Sequence, residues 1–266
     1  TSGKGAAGKL TVNASDSVKL FGSNRITSLM SSGTFGDGNG GNITINTRKL
    51  FIYDGATISV ETSGTGINSQ FIPATGKGGN LTINASEFVE LAGTSPRGSI
   101  SSIASTTINS ADAGKITIST KQLIVRDDAE ISVSSQLPKL SPNITFDSDA
   151  SDLGNAGELK ITADSILLDN QGKLISETES ANGGNINLQL KDLLLLRHNS
   201  QISTNAGKAE LSGDGGNINI NIPNGFIVAF PSENSDITAN AFTGTAGRVD
   251  INANGIFGIQ PRSRDE

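Results

Sequence analysis

The chain has 266 residues, a formal charge of −6 and a pI near 4.9, and no Lys/Arg run interrupts that acidic balance, which argues against nucleic acid as a partner. It contains no cysteine, so disulfides, thiolate metal sites and cysteine nucleophiles are excluded together, while the compartment stays open. With 32 glycines, no Trp, one Met and 4% aromatic residues, the composition suits tight turns and thin strands better than helices around an aromatic core.

Taken in chain order, the sequence repeats itself. A small turn followed by apolar, polar, apolar, polar begins at Gly8 and returns at Gly41, Gly79, Gly114, Gly157, Gly184, Gly216 and Gly247, at intervals from 27 residues (157 to 184) to 43 (114 to 157). Two residues after each glycine stand Leu10, Ile43, Leu81, Ile116, Leu159, Ile186, Ile218 and Val249. Two further on stand Val12, Ile45, Ile83, Ile118, Ile161, Leu188, Ile220 and Ile251. The residue between is Thr11, Thr44, Thr82, Thr117, Lys160, Asn187, Asn219 or Asp250, an alternation that predicts a strand with one buried face.

Ten residues after each glycine a second apolar ladder is expected: Val18, Phe51, Val89, Ile124, Leu167, Leu194, Phe226 and Phe257. A third, looser strand follows at Ile26, Ile58-Ser59-Val60, Ile100-Ser101, Ile131-Ser132-Val133, Leu174-Ile175, Ile202-Ser203 and Ile237-Thr238. Between the second and third strands stand Asp54-Gly55, Asp127-Asp128, Asn170-Gln171-Gly172 and Asn199-Ser200, residues that tolerate turn dihedrals. Length variation is confined to the third corner, shortest at Glu177 to Asn182 and longest from Ser134 to Asn155. Insertions in solenoids collect where they do not disturb the stack, and such faces often bind.

These features predict an all-β fold, a right-handed parallel β-helix (solenoid) of about eight rungs of three strands each, occupying 1–266 as a single domain. At about 4.8 Å per rung the rod would be on the order of 35 to 40 Å long. Thr1 to Ala7 lack the apolar core of a signal peptide and the repeat stops before its third strand near Glu266, so the chain reads as a fragment of a longer one. No apolar run approaches the roughly 20 residues of a membrane helix, the longest patches being as short as Leu193 to Leu196.

The Gly-Gly-Asn-Ile-Thr-Ile-Asn phrase at 40–46, together with the stretches at 225–241 and 255–260, resembles the large filamentous-haemagglutinin-like proteins of cyanobacteria. That resemblance covers nearly the whole chain. It implies a right-handed β-helix, export by the two-partner route through an outer-membrane transporter, and a place at the cell surface or outside it. Pro223-Asn224-Gly225 is similar to one of the family's Asn-Pro-Asn-Gly turns, with Ile222 in place of the first Asn, and reads here as a turn.

Candidate chemistry is sparse. Parallel β-helices also carry polysaccharide lyases and hydrolases that use grouped carboxylates, and Arg126-Asp127-Asp128 is the best such cluster, set in a corner where the two carboxylates can converge. A solvated corner is the alternative. His198 is the only histidine, which argues against a triad or a multi-histidine metal site and leaves an exposed turn residue. Asp147, Asp149, Ser151 and Glu158 match an EF-hand spacing, but Asp152 stands where glycine is required; Asp147, Asp149 and Asp152 remain calcium candidates. Gly36 to Gly41 and Gly3 to Lys9 mimic phosphate loops, yet both precede strands instead of helix N-termini.

Asn42 with Asn80, and Asn185 with Asn217, are expected to form ladders along the axis, with Lys115 and Glu158 in the same column. The threonine row could present hydroxyls to carbohydrate or ice, a role that Lys160 and Asp250 interrupt. The expected function is a non-catalytic structural or adhesive rod of a secreted surface protein, needing no cofactor and touching cell-surface glycans or like chains through its third-corner loops. The competing expectation is a carbohydrate-active enzyme at Asp127 and Asp128.

Overall fold

A computed structural model describes residues 4–23, 28–67, 70–108, 110–137, 145–146, 153–207 and 212–261. In chain order, β1 (Lys9–Asn13), β2 (Ser17–Phe21) and β3 (Leu29–Ser31) belong to the first repeat, and β4 (Asn42–Tyr53) and β5 (Thr57–Ser59) to the second. An excursion, β6 (Thr65–Ile67) and β7 (Gln70–Ile72), leads to β8 (Asn80–Ala92) and β9 (Ser102–Ala104). The fourth repeat has β10 (Lys115–Ser119), β11 (Gln122–Arg126) and β12 (Glu130–Ser132), with β13 (Thr145–Phe146) beyond it. There follow β14 (Glu158–Asp169), β15 (Lys173–Ile175), β16 (Ile186–Leu196), β17 (Gln201–Ser203), β18 (Ile218–Val228), β19 (Asp236–Thr238) and β20 (Val249–Phe257).

The strands form long parallel sheets, the arrangement of a parallel β-helix. The larger sheet runs β1-β4-β8-β10-β14-β16-β18-β20, and a seven-stranded one runs β19-β17-β15-β12-β9-β5-β3. Each strand therefore pairs with its equivalents in the neighbouring repeats, which satisfies backbone groups that one repeat alone leaves open. The first column stacks as its spacing predicts: Leu10 opposite Ile43, Ile43 opposite Leu81, Leu159 opposite Ile186 and Ile218 opposite Val249. Ile43, Leu81, Ile116, Leu159, Ile186 and Ile218 are fully buried, each such side chain stabilising the stack by about 1.5–3 kcal/mol.

The leading glycine sets the stacking distance. A Cβ on Gly79 would fall well inside contact distance of the Gly41 carbonyl oxygen, and the same clash recurs from Gly114 to Gly79, Gly157 to Gly114, Gly184 to Gly157 and Gly216 to Gly184. Gly8, with nothing below it among the described residues, has open space. Only a residue without a side chain lets two backbones approach so closely.

The second ladder differs from the expected one. The inward column is the partly buried Val18 and the buried Leu50, Val89, Leu123, Ile166, Leu194 and Ile227, so Phe51, Ile124, Leu167, Phe226 and Phe257 stand one position off it and outward. The reason is a bulge of variable size between the first and second strands. Leu50 lies nine positions after Gly41, Val89 ten after Gly79 and Ile227 eleven after Gly216. Between the pairs Gln189–Asn221 and Leu193–Phe226, one strand has three residues and the other four. Pro223-Asn224-Gly225 sits in this irregularity inside β18 and is a bulge within a strand, the place where a residue lacking an N–H costs least.

In the third strand, Ile58, Ile131, Leu174, Ile202 and Ile237 are aligned as expected. Ile103 takes the place assigned to Ile100, which instead bridges Thr94. Met30 pairs with Ile58 in the first repeat, while Ile26 lies outside the described residues. Beyond this strand Thr34, Thr62, Thr107, Ser135 and Thr178 form a buried hydroxyl column.

Candidate functional site

The corner after the second strand is built from pairs of left-handed residues: Asp54 and Gly55 (φ 56° and 83°), Asp127 and Asp128 (56° and 65°), Asn170 and Gln171 (43° and 66°), His198 and Asn199 (46° and 61°). Asp and Asn tolerate this region because their short polar side chains bond locally. The last pair begins at His198, one residue before the turn expected from Asn199-Ser200. Because the pairs stack, their side chains meet along the axis.

A polar chain results. The Tyr53 hydroxyl donates to Glu90, and burial first, then that bond, raises the Tyr53 pKa. Arg126 Nε lies 2.9 Å from the other Glu90 oxygen, and its Nη1 pairs with Asp127. The second Asp127 oxygen accepts from Asn170 Nδ2 at 2.8 Å. Both Asp127 oxygens are thus engaged and Arg126 is held between two carboxylates, so these two residues of the Arg126-Asp127-Asp128 cluster form a closed network in place of an open acid–base pair.

The chain continues toward the last repeats. His198 Nδ1 lies 2.6 Å from Asp169 Oδ1, and its Nε2 lies 3.3 Å from Glu233 Oε1. Arg197 grips Glu233 through Nε at 2.6 Å and Nη2 at 2.7 Å, and its guanidinium stacks over Phe230 at 4.4 Å. The Arg197 bond outweighs desolvation and holds the Glu233 carboxyl down at about 2. His198 is half-exposed, as a turn residue, with Nδ1 hydrogen-bonded to Asp169 and Nε2 set between Glu233 and Arg197 Nη2, the latter at 3.5 Å. Sequence reasoning missed Glu90, Asp169 and Glu233, whose partners Tyr53, Arg126, His198 and Arg197 lie 29 to 37 positions away.

The axial ladders form through backbone donors. Asn80 N–H donates to Asn42 Oδ1 and Lys115 N–H to Asn80 Oδ1, both at 3.1 Å, while Asn217 N–H reaches Asn185 Oδ1 at 2.9 Å. Lys115 Nζ pairs with Glu158 at 2.7 Å. Asp147, Asp149 and Asp152 lie outside the described residues. Among the described residues no group of three His, Asp or Glu stands close enough to hold a metal ion, and no helix is long and apolar enough to cross a membrane. The glycine runs ending at Gly41 and Lys9 enter β4 and β1.

Two surfaces stand apart from the stack. At the third corner β6 and β7 form an antiparallel hairpin, and β13, from the insertion two repeats later, pairs with β7. This three-stranded sheet contributes no strand to the two large ones. On the outward face of the second strand Phe21, Tyr53, Phe51 and Phe88 form an aromatic row with centroids 5.5 to 5.9 Å apart. Among the described residues the buried core contains no aromatic ring. Comparison with family models, curated proteins and solved structures finds no match to this chain.

Proposed function

We propose that the chain is a right-handed parallel β-helix of about eight rungs of three strands, forming a structural and adhesive rod segment of a secreted filamentous surface protein. The proposal includes the filamentous-haemagglutinin-like identity, export through a two-partner outer-membrane transporter, and contact with cell-surface glycans or like chains through the third corner. The observation that carries it is the β13-β7-β6 sheet: two insertions from non-adjacent repeats spend ordered backbone on a structure the stack does not need. The closed network around Arg126 and Asp127 favours a non-catalytic role over polysaccharide cleavage.

A glycan array probed with the 266-residue chain, and with a variant in which residues 65–72 are replaced by a Gly/Ser linker, tests the reading. Binding that depends on the hairpin, with no release of oligosaccharide from bound polymer, is expected. Product release overturns the non-catalytic assignment, and binding indifferent to the linker overturns the third-corner contact.

A further inference from the structure

Most carboxylates that touch the stack have partners: Glu87 with Arg48, Glu90 with Arg126, Glu158 with Lys115, Glu233 with Arg197. Glu61 differs from these. It is half-buried two residues after β5, no hydrogen bond or ion pair engages its side chain among the described residues, and burial raises its pKa. It lines a cavity of about 370 Å³ on the outward face of the third strand, at the lower end of the range for small-molecule sites (about 300–1,000 Å³).

The rest of the lining defines what would fit. Ser31, Thr57 and Ser59 supply hydroxyls, each able to donate and to accept, and Thr57 is already bonded to Ser102 at 3.1 Å. Phe35 and Leu29, 56% and 61% exposed, give the cavity an apolar rim that the stack leaves in water. Among the described residues no Lys or Arg lines it. A buried carboxylate without a cation needs hydrogen-bond donors to replace lost water. An ammonium ion would donate to Glu61 and to the hydroxyl oxygens but would leave the hydroxyl hydrogens without an acceptor and offer no C–H face to Phe35 and Leu29, and an anion would repel Glu61. A polyol with an apolar C–H face matches all three features.

We propose that this cavity binds one pyranose unit of a glycan, with Glu61 accepting hydrogen bonds from sugar hydroxyls, Ser31 and Ser59 completing the polar wall, and Phe35 packing on the ring's C–H face. The inference rests on the adhesive reading above and places its glycan contact on the outward face of the third strand in the first repeats, separate from the β6–β7 hairpin.

The test is titration of the 266-residue protein, followed by amide NMR shifts and calorimetry, with methyl glycosides of glucose, galactose, mannose and fucose, and with putrescine as an amine probe. At least one glycoside is expected to shift the amides of Ser31, Ser59 and Glu61. Glu61→Gln, which removes charge-assisted acceptors, and Phe35→Ala, which removes the apolar platform, should each raise its Kd about tenfold or more. An unchanged far-UV spectrum and thermal midpoint separate this from misfolding, and Phe35 is exposed enough to be truncated safely.

The proposal is overturned if no glycoside shifts these amides, if putrescine binds and no glycoside does, or if both variants bind as wild type. Array binding that persists in Glu61→Gln and still needs residues 65–72 would sink the cavity while leaving the adhesive rod standing. Glycoside binding in the cavity with array signal indifferent to the hairpin would do the reverse to the hairpin contact.

Discussion

Arg197 holds Glu233 by two nitrogens, Nε at 2.6 Å and Nη2 at 2.7 Å, across the boundary between two repeats. The carboxylate, 15% exposed, also accepts from the backbone N–H of His198 at 3.2 Å. The pair ties the corner after β16 to the 3₁₀ turn at Pro231–Glu233. A bidentate guanidinium–carboxylate contact is among the stronger surface ion pairs because both bonds are geometrically fixed.

The Glu233 carboxyl falls to about 2 in the folded chain from an ordinary 4.5, so the unfolded chain binds its proton first as acid is added. Its contribution to stability is therefore complete above about pH 4.5 and is lost as pH falls toward 2. Glu233→Gln is expected to lower the thermal midpoint at pH 7 and to flatten its decline between pH 4.5 and 2, the two proteins converging near pH 2. Differential scanning calorimetry across this range checks it; parallel curves would mean the pair contributes nothing.

The glycine column makes a sharper contrast. A Cβ on Gly157 would strike the Gly114 carbonyl oxygen and a methyl of Val133, whereas a Cβ on Gly8 meets nothing. Gly157→Ala is expected to cost about 1–3 kcal/mol or more through forced separation of the repeats, and Gly8→Ala to stay within about 0.5 kcal/mol of wild type. Urea midpoints of the two variants decide it, and equal shifts would contradict close approach as the reason for glycine.

The position of the second ladder is tested in one strand. Leu123 is fully buried between Val89 and Ile166, while Ile124 faces outward beside Glu90 and Leu167. Leu123→Ala is expected to lose about 2–5 kcal/mol, the range for emptying a packed core position. Ile124→Ala should lose less than half as much. A larger loss at Ile124 would restore the uniform ten-residue spacing.

Much of the architecture was legible because it is written in local chemistry repeated many times. The alternation at Ile43-Thr44-Ile45 and its copies marks one buried face per strand, and the Asp and Asn pairs mark corners whose left-handed dihedrals the structure contains. The ladder from Asn42 to Asn80 followed from register alone, although the donor proved to be a backbone N–H. The second column was misplaced because a bulge changes its length from repeat to repeat, and a fixed count from each glycine cannot see it.

By itself, then, the sequence determined the class of fold, the first column and the positions of the turns, since each depends on neighbours within a few residues. Only the tertiary structure decided what the ionisable groups do. Asp127 reads as a free corner carboxylate until Arg126 is seen held by Glu90 and Asn170 arrives from the next repeat, and Glu61 reads as ordinary until burial raises its pKa with no partner among the described residues. The pairing of β7 with β13 belongs to the same class. Such contacts join residues tens of positions apart, and their energies depend on which groups stacking brings within bonding distance and how much water it removes.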